Sequence, residues 1–207
     1  MLQPDFGTGM ILVMSIISLF FISGLDMKYF YYLFGIGIIG ITGLIIAAPY
    51  RMDRITSFIN PWKDPLGTGF QIIQSLYAIG PGGLLGFGFL NSRQKHFYLP
   101  EPQTDFIFSI IVEEFGIIGA IFVVVNFFLI AYSGLKIALK QTDLFAKYLC
   151  FGIIFQLIFQ AILNLCVVVG LIPVTGVTLP FLSYGGSSLL ISMISIGVIL
   201  NIAKNKN

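Results

Sequence analysis

The stretch FIFSIIVEEFGIIGAIFVVVNFFLIAYS, running from Phe106 to Ser133, decides the fold. Its 28 residues carry only two charges, the adjacent carboxylates of Glu113 and Glu114. About 20 helical residues cross a hydrocarbon core of roughly 30 Å, so a run this long and apolar reads as a membrane-spanning helix. Directly before it lies the dense polar island Asn91-Ser92-Arg93-Gln94-Lys95-His96-Phe97-Tyr98-Leu99-Pro100-Glu101-Pro102-Gln103-Thr104-Asp105. A lipid-embedded chain has little physical reason to gather acids, bases and its only histidine at a helix mouth unless they meet a polar substrate at the bilayer edge.

Working outward, four further apolar runs accompany it: Thr8–Ser23, Tyr29–Pro49, Phe145–Leu171 and Leu189–Ile202, the last short unless Leu182–Ser188 joins it. Isolated strands would leave backbone groups unpaired in lipid, so these runs are read as helices. The chain is 57% hydrophobic and 10% charged, with a mean hydropathy of +0.97, whereas soluble domains carry roughly 25% charged residues. The reading is an all-α, polytopic membrane protein with about five transmembrane helices. It is taken as a single membrane domain over residues 1–207, with a long extracytoplasmic loop at 50–105. A net charge of +2 is too small to suggest nucleic acid. No basic region precedes the first apolar run, which argues against a cleaved signal peptide. Cys150 and Cys166 lie in apolar surroundings; on one helix their spacing turns them about 160° apart, so they cannot bridge and read as small core residues.

Orientation follows from lysines in the short connections. Lys28, Lys136, Lys140, Lys147, Lys204 and Lys206 fall on one side, taken as cytoplasmic, while Ile172–Ser188 carries no charge. The 50–105 loop and the N-terminus are then extracytoplasmic. Arg51, Arg54, Lys63, Arg93 and Lys95 within that loop oppose the rule, but long loops weigh little in it. Tyr50 and Trp62 suit a membrane interface. Phe70, Ile72, Ile73, Leu76 and Tyr77 share one helical face with Gln71, Gln74 and Ser75 towards the other, predicting an interfacial helix. Gly80-Pro81-Gly82-Gly83, followed by Gly86 and Gly88, predicts a compact re-entrant segment with close backbone approaches.

Asp105 is the leading chemical candidate. As a residue just before a helix it reads as an N-cap; as a carboxylate at a membrane surface it reads as a general base. The roles compete, because a capped carboxylate is a weaker base. Arg93 and Lys95, with Arg51 and Arg54, suit either anionic headgroups or a pyrophosphate. His96, the single histidine, reads as an interfacial polar side chain. Glu113 and Glu114 fall about 12–14 Å along the helix from Asp105. Carboxylates at that depth need pairing, protonation or water, so they read as a structural ion pair or cavity lining. The Leu179–Ser188 cluster reads as close helix packing or as the lining of a substrate path. Acidic side chains leave a divalent cation open as a cofactor, although no complete magnesium site is present.

Taken together, these blocks resemble the SEDS family of shape, elongation, division and sporulation proteins. The matching segments are Gln3-Pro4-Asp5-Phe6-Gly7-Thr8, Pro49-Tyr50-Arg51, Asn60-Pro61-Trp62-Lys63-Asp64-Pro65, Gln74-Ser75 and Ala78-Ile79-Gly80. Tyr98-Leu99-Pro100-Glu101, Thr104-Asp105-Phe106-Ile107-Phe108, Glu113-Glu114 and Leu179 to Ser188 complete the set. The Ser92-Arg93-Gln94-Lys95 form of the island is closer to the FtsW and SpoVE branch than to the RodA branch.

The resemblance implies a peptidoglycan glycosyltransferase of the bacterial cytoplasmic membrane, polymerising lipid II at the extracytoplasmic face beside a class B penicillin-binding protein. It places the family's essential aspartate at Asp105. It also implies substrate contacts from Arg54, Gln74, Ser75, Arg93, Lys95, Glu101, Ser183 and Ser187, with Glu113 and Glu114 lining the cavity. Membrane lipids and the polyprenyl-linked glycan are the other expected partners, in division or sporulation. The family has about ten membrane helices and this chain matches the last five, so the expectation is a C-terminal half, inactive alone. Two alternatives stay open: a lipid II flippase, which needs a polar path through the whole membrane, and a non-enzymatic scaffold of the division or sporulation machinery.

Overall fold

The computed structural model describes residues 6–46, 56–92 and 103–204. Among these no residue lies in a strand, and each of the five expected spans is a helix. They are α1 (Phe6–Ile22), α2 (Met27–Ile46), α4 (Ile107–Leu139), α5 (Leu144–Val168) and α6 (Gly186–Lys204), with α3 (Phe70–Ile79) between α2 and α4. α4, α5 and α6 are each long and apolar enough to cross a membrane, and α1 is a shorter apolar helix. Their outward faces are strongly apolar: Phe34, Ile39, Phe122, Phe128 and Met193 are all exposed. On a polytopic membrane protein such a surface meets acyl chains, whereas a soluble protein rarely exposes one so broad.

α4 and α5 form the central hairpin. Asp143 caps α5, accepting from Ala146 N at 3.0 Å. The two helices approach closely where Gly134 faces Ile154, and Cys150 donates its thiol to Gly134 O at 3.7 Å. Ala138, Cys150, Ile154 and Ile199 close that end of the core, bringing α6 against the hairpin. Both cysteines are free thiols on α5. α1 lies along α5, with Leu19 against Gly152 and Ile11 packed with Leu163 and Val177. The largest cluster sits at the other end, built from Phe106, Phe108, Ile110, Val112, Val167, Val168 and Leu179 among others.

Three features depart from the sequence expectation. α5 ends at Val168 rather than Leu171, because Gly170 takes φ +73 and closes the helix with Gly170 N to Val167 O at 3.0 Å and Leu171 N to Cys166 O at 2.8 Å. This paired bond pattern around a left-handed glycine satisfies the orphan carbonyls of a helix end. α3 turns Ser75 inward, not outward: Ile72, Ile73, Ser75 and Ala78 are buried, while Leu76 and Tyr77 are exposed and Trp62 meets Tyr77 edge-on. The cause is a tertiary hydrogen bond, Ser75 Oγ to Val168 O at 2.7 Å, which gives a polar side chain a reason to face the protein.

The third departure lies inside α4, where Gly116 adopts φ 64, ψ −158 and interrupts the helix. The segment after α3 crosses there. Phe87 N and Gly88 N donate to Glu113 O and Glu114 O, both at 2.9 Å, while Ile117 N and Ile118 N donate to Gly83 O and Leu84 O at 3.0 and 3.4 Å. A break in a membrane helix frees backbone groups that lipid cannot satisfy; here the crossing segment satisfies four of them. A Cβ on Gly86 would collide with the Glu114 backbone, and one on Gly116 with Leu84. The re-entrant expectation for the glycine-rich segment therefore takes the form of a backbone clamp on α4.

Candidate active site

Asp105 stands at the end of the bundle opposite the α4–α5 hairpin turn, in a turn of residues 103–106 that leads into α4. The N-cap of α4 is Phe106, with no side-chain cap bond, so Asp105 precedes the capping position expected for it. Phe106 is buried in the main core and roots the turn.

Each of the four consecutive carbonyls of this turn accepts a hydrogen bond. Gln103 O accepts from Tyr184 N at 2.7 Å. Thr104 O accepts from Ser183 Oγ at 2.6 Å, Asp105 O from Asn164 Nδ2 at 2.7 Å and Phe106 O from Ser109 Oγ at 2.7 Å. Ser183 Oγ also accepts from Leu179 N at 2.7 Å, and Asn164 Nδ2 donates to Val177 O at 2.7 Å as well. The end of the polar island is thereby tied to the 176–184 segment and to α5. Backbone bonds of this kind fix the direction of the Asp105 Cα–Cβ bond, and the residue is half-buried. Its carboxylate faces Gly176: a Cβ there would stand 3.8 Å from Asp105 Oδ2. The adjoining start of α4 favours negative charge through its N-terminal N–H groups.

Gly176 also lines a cavity of about 190 Å³, together with Thr8, Ile11 and Leu12 of α1, Gln156 and Gln160 of α5, and Val177 and Thr178. Gln160 Nε2 donates to Thr178 O at 2.9 Å, and Thr178 Oγ1 lies 3.1 Å from Ser188 Oγ. Gln156, Gln160 and Asn164 recur every four residues on α5 and so form one polar stripe on an apolar helix. Sequence reasoning passed over this stripe, although amides at i, i+4 and i+8 in a membrane span were the signal for it.

The other candidates divide by location. Ser183 belongs to the Asp105 turn, with its hydroxyl engaged at both the Thr104 and Leu179 backbones. Ser187 is exposed in the first turn of α6. Ser75 is buried on α3, and Gln74 is half-buried beside it. Glu113 and Glu114 lie at the α4 break, 2% and 5% exposed. Ser92 donates its hydroxyl to Glu113 Oε2, whereas Glu114 Oε1 has no hydrogen-bond partner among the described residues. Arg51, Arg54, Arg93, Lys95, His96 and Glu101 lie outside the described residues. Among the described residues no three His, Cys, Asp or Glu side chains gather as a metal site.

Comparison with known proteins shows what the chain is similar to. A family model described as cell cycle protein, covering FtsW, RodA and SpoVE, matches residues 1–207. The chain is 53% identical over 204 residues to stage V sporulation protein E of Bacillus subtilis (strain 168), an alignment covering 99% of this chain and 56% of that protein. It is 43% identical over 204 residues to the probable peptidoglycan glycosyltransferase FtsW of Geobacter sp. (strain M18), covering 97% of this chain and 55% of the relative. The chain thus spans about half the length of the curated relatives it matches. Among solved structures, a chain of a peptidoglycan synthase complex that coordinates polymerization and crosslinking superposes with a TM-score of 0.78 at 32% identity, over 99% of this chain and 57% of that one. The rod shape determining protein RodA of Thermus thermophilus gives 0.64 at 26% identity, over 99% and 52%.

Proposed function

This chain belongs to the FtsW, RodA and SpoVE family of cell cycle proteins, and from that membership we propose that it carries the catalytic edge of a lipid II polymerase. The observation that carries the proposal is the turn of residues 103–106, whose four carbonyls are each held by a hydrogen bond while the Asp105 carboxylate faces an adjoining loop. A reacting group held in one geometry converts binding into rate, because orientation is settled before the chemical step.

In this reading Asp105 takes the proton from the 4-hydroxyl of an acceptor sugar. The oxygen attacks the anomeric carbon of the lipid-linked donor, forming the new C–O bond. The bond from that carbon to the phosphate oxygen breaks, and undecaprenyl pyrophosphate departs with the electron pair. Arg93, Lys95 and Arg54 supply the positive charge that stabilises the developing pyrophosphate. Ser187 and Gln74 remain candidate contacts to the sugars, Glu101 joins them from the polar island, and Ser75 and Ser183 act by holding the surrounding backbone. Glu113 and Glu114 line the protein interior at the α4 break.

The active face is extracytoplasmic in this proposal, since Lys136 and Lys140 sit at the opposite end of the α4–α5 hairpin from Asp105 and mark the cytoplasmic side. The inner membrane is the location, and a class B penicillin-binding protein the partner, in keeping with the synthase complex that the chain resembles. The test is polymerisation of lipid II added to the outside of vesicles carrying the complete protein with its partner. Glycan strands, with no change in the sidedness of unreacted lipid II, are expected. Transfer of lipid II across the bilayer without polymer would instead identify a transporter.

A further inference from the structure

We propose that Asn164 is a positioning residue for Asp105, setting the slot between its carboxylate and the 176–177 loop; this rests on the reading of Asp105 as the base. Asn164 is 1% exposed on α5. A side-chain amide nitrogen carries two hydrogens, and here both are directed at carbonyls on separate segments, Asp105 O and Val177 O, each at 2.7 Å. The first bond holds the backbone from which the carboxylate projects. The second holds the residue next to Gly176, the wall that the carboxylate faces. One planar amide therefore fixes base and wall relative to each other.

The remaining atom of the amide strengthens the argument. Asn164 Oδ1 is buried with no hydrogen-bond partner among the described residues, an unfavourable state for an acceptor. Packing alone would be served better by a leucine of similar size. The asparagine is explained by its two donors, and those donors act on the geometry around Asp105. Ser183 and Tyr184 hold the neighbouring carbonyls of Thr104 and Gln103, so removing Asn164 frees one point of the turn while leaving the rest attached.

Asn164→Leu and Asn164→Asp, made in the complete polymerising protein, test this with lipid II as substrate. Loss of the bridge is expected to lower kcat by about tenfold to a hundredfold, with KM for lipid II within about twofold of the parent and the acid limb of the pH–rate profile displaced. The aspartate should be the more severe change, because it faces two carbonyl oxygens with no donor; it keeps the volume should the leucine variant fail to fold. A partly misfolded population would lower the rate at every pH without moving the profile, and that result, or parental turnover in Asn164→Leu, overturns the inference. Asp105→Asn is measured in parallel. If it polymerises normally, the base reading falls and the positioning role falls with it; if it is inactive while Asn164→Leu keeps parental kinetics, only the positioning role is lost.

Discussion

Asp105 shows how a residue can be held through the backbone around it, since all four carbonyls of residues 103–106 accept hydrogen bonds. The two readings open at the sequence level, helix cap or general base, are separated by one residue of register: α4 is capped at Phe106, so Asp105 stands just outside the helix. Its candidacy was legible from its place at the helix mouth, but position alone favoured the cap, and it was the family resemblance that turned the reading towards a base. The polar stripe that includes Asn164 was legible, but the role of Asn164 was not, since its two carbonyl partners are remote in sequence. Ser183 makes the same point. Ser183→Ala removes a donor to the part-buried Thr104 O and an acceptor for the buried Leu179 N. An unsatisfied buried group costs about 1–3 kcal/mol, so a clear fall in the thermal unfolding midpoint is expected, together with slower turnover. An unchanged midpoint would show that water replaces the hydroxyl there.

Among the elements, α4 carries the most information that the sequence concealed. Its length and apolar character were plain, and its extension to Leu139 adds Gly134 and Ala138, which pack against α5. The interruption at Gly116 was hidden because glycine in a membrane helix commonly marks close packing, and nothing local announces that residues 83–88 will cross there. Once seen, the clamp accounts for the glycines around it, because Gly86 and Gly116 stand where a side chain would meet backbone. Gly116→Ala should therefore destabilise the protein, with left-handed backbone strain alone costing about 1–3 kcal/mol. Gly197→Ala in α6 is the matched control: a Cβ there meets nothing within 4 Å, and alanine is the better helix former. Thermal unfolding in detergent should show a lowered midpoint for the first substitution and no loss for the second.

At the scale of the whole molecule, the turn of residues 103–106 stands at one end of the α4–α5 hairpin and Lys136, Lys140 and Lys147 at the other. Apolar run length located the helices, and lysine placement supplies the direction expected for the bundle. Neither could give the contacts that join residues 103–106 to 176–184, because those depend on how α4 and α5 pack. Cysteine labelling in intact cells checks the direction, in a background where Cys150 and Cys166 are replaced by alanine. Ser187→Cys should react with an impermeant maleimide added outside, whereas Lys140→Cys should react only after permeabilisation. The reverse pattern would invert the topology and remove Asp105 from the extracytoplasmic face.

The most direct measurement of the central claim is the rate of glycan strand formation from lipid II by the complete protein carrying Asp105→Asn, alongside binding of the same lipid. The asparagine keeps size and polarity but cannot take a proton as a carboxylate does. A general base contributes typically 10²–10⁴-fold, so polymerisation should fall by about a hundredfold or more while lipid II binding is retained. Polymerisation at the parental rate would contradict the account.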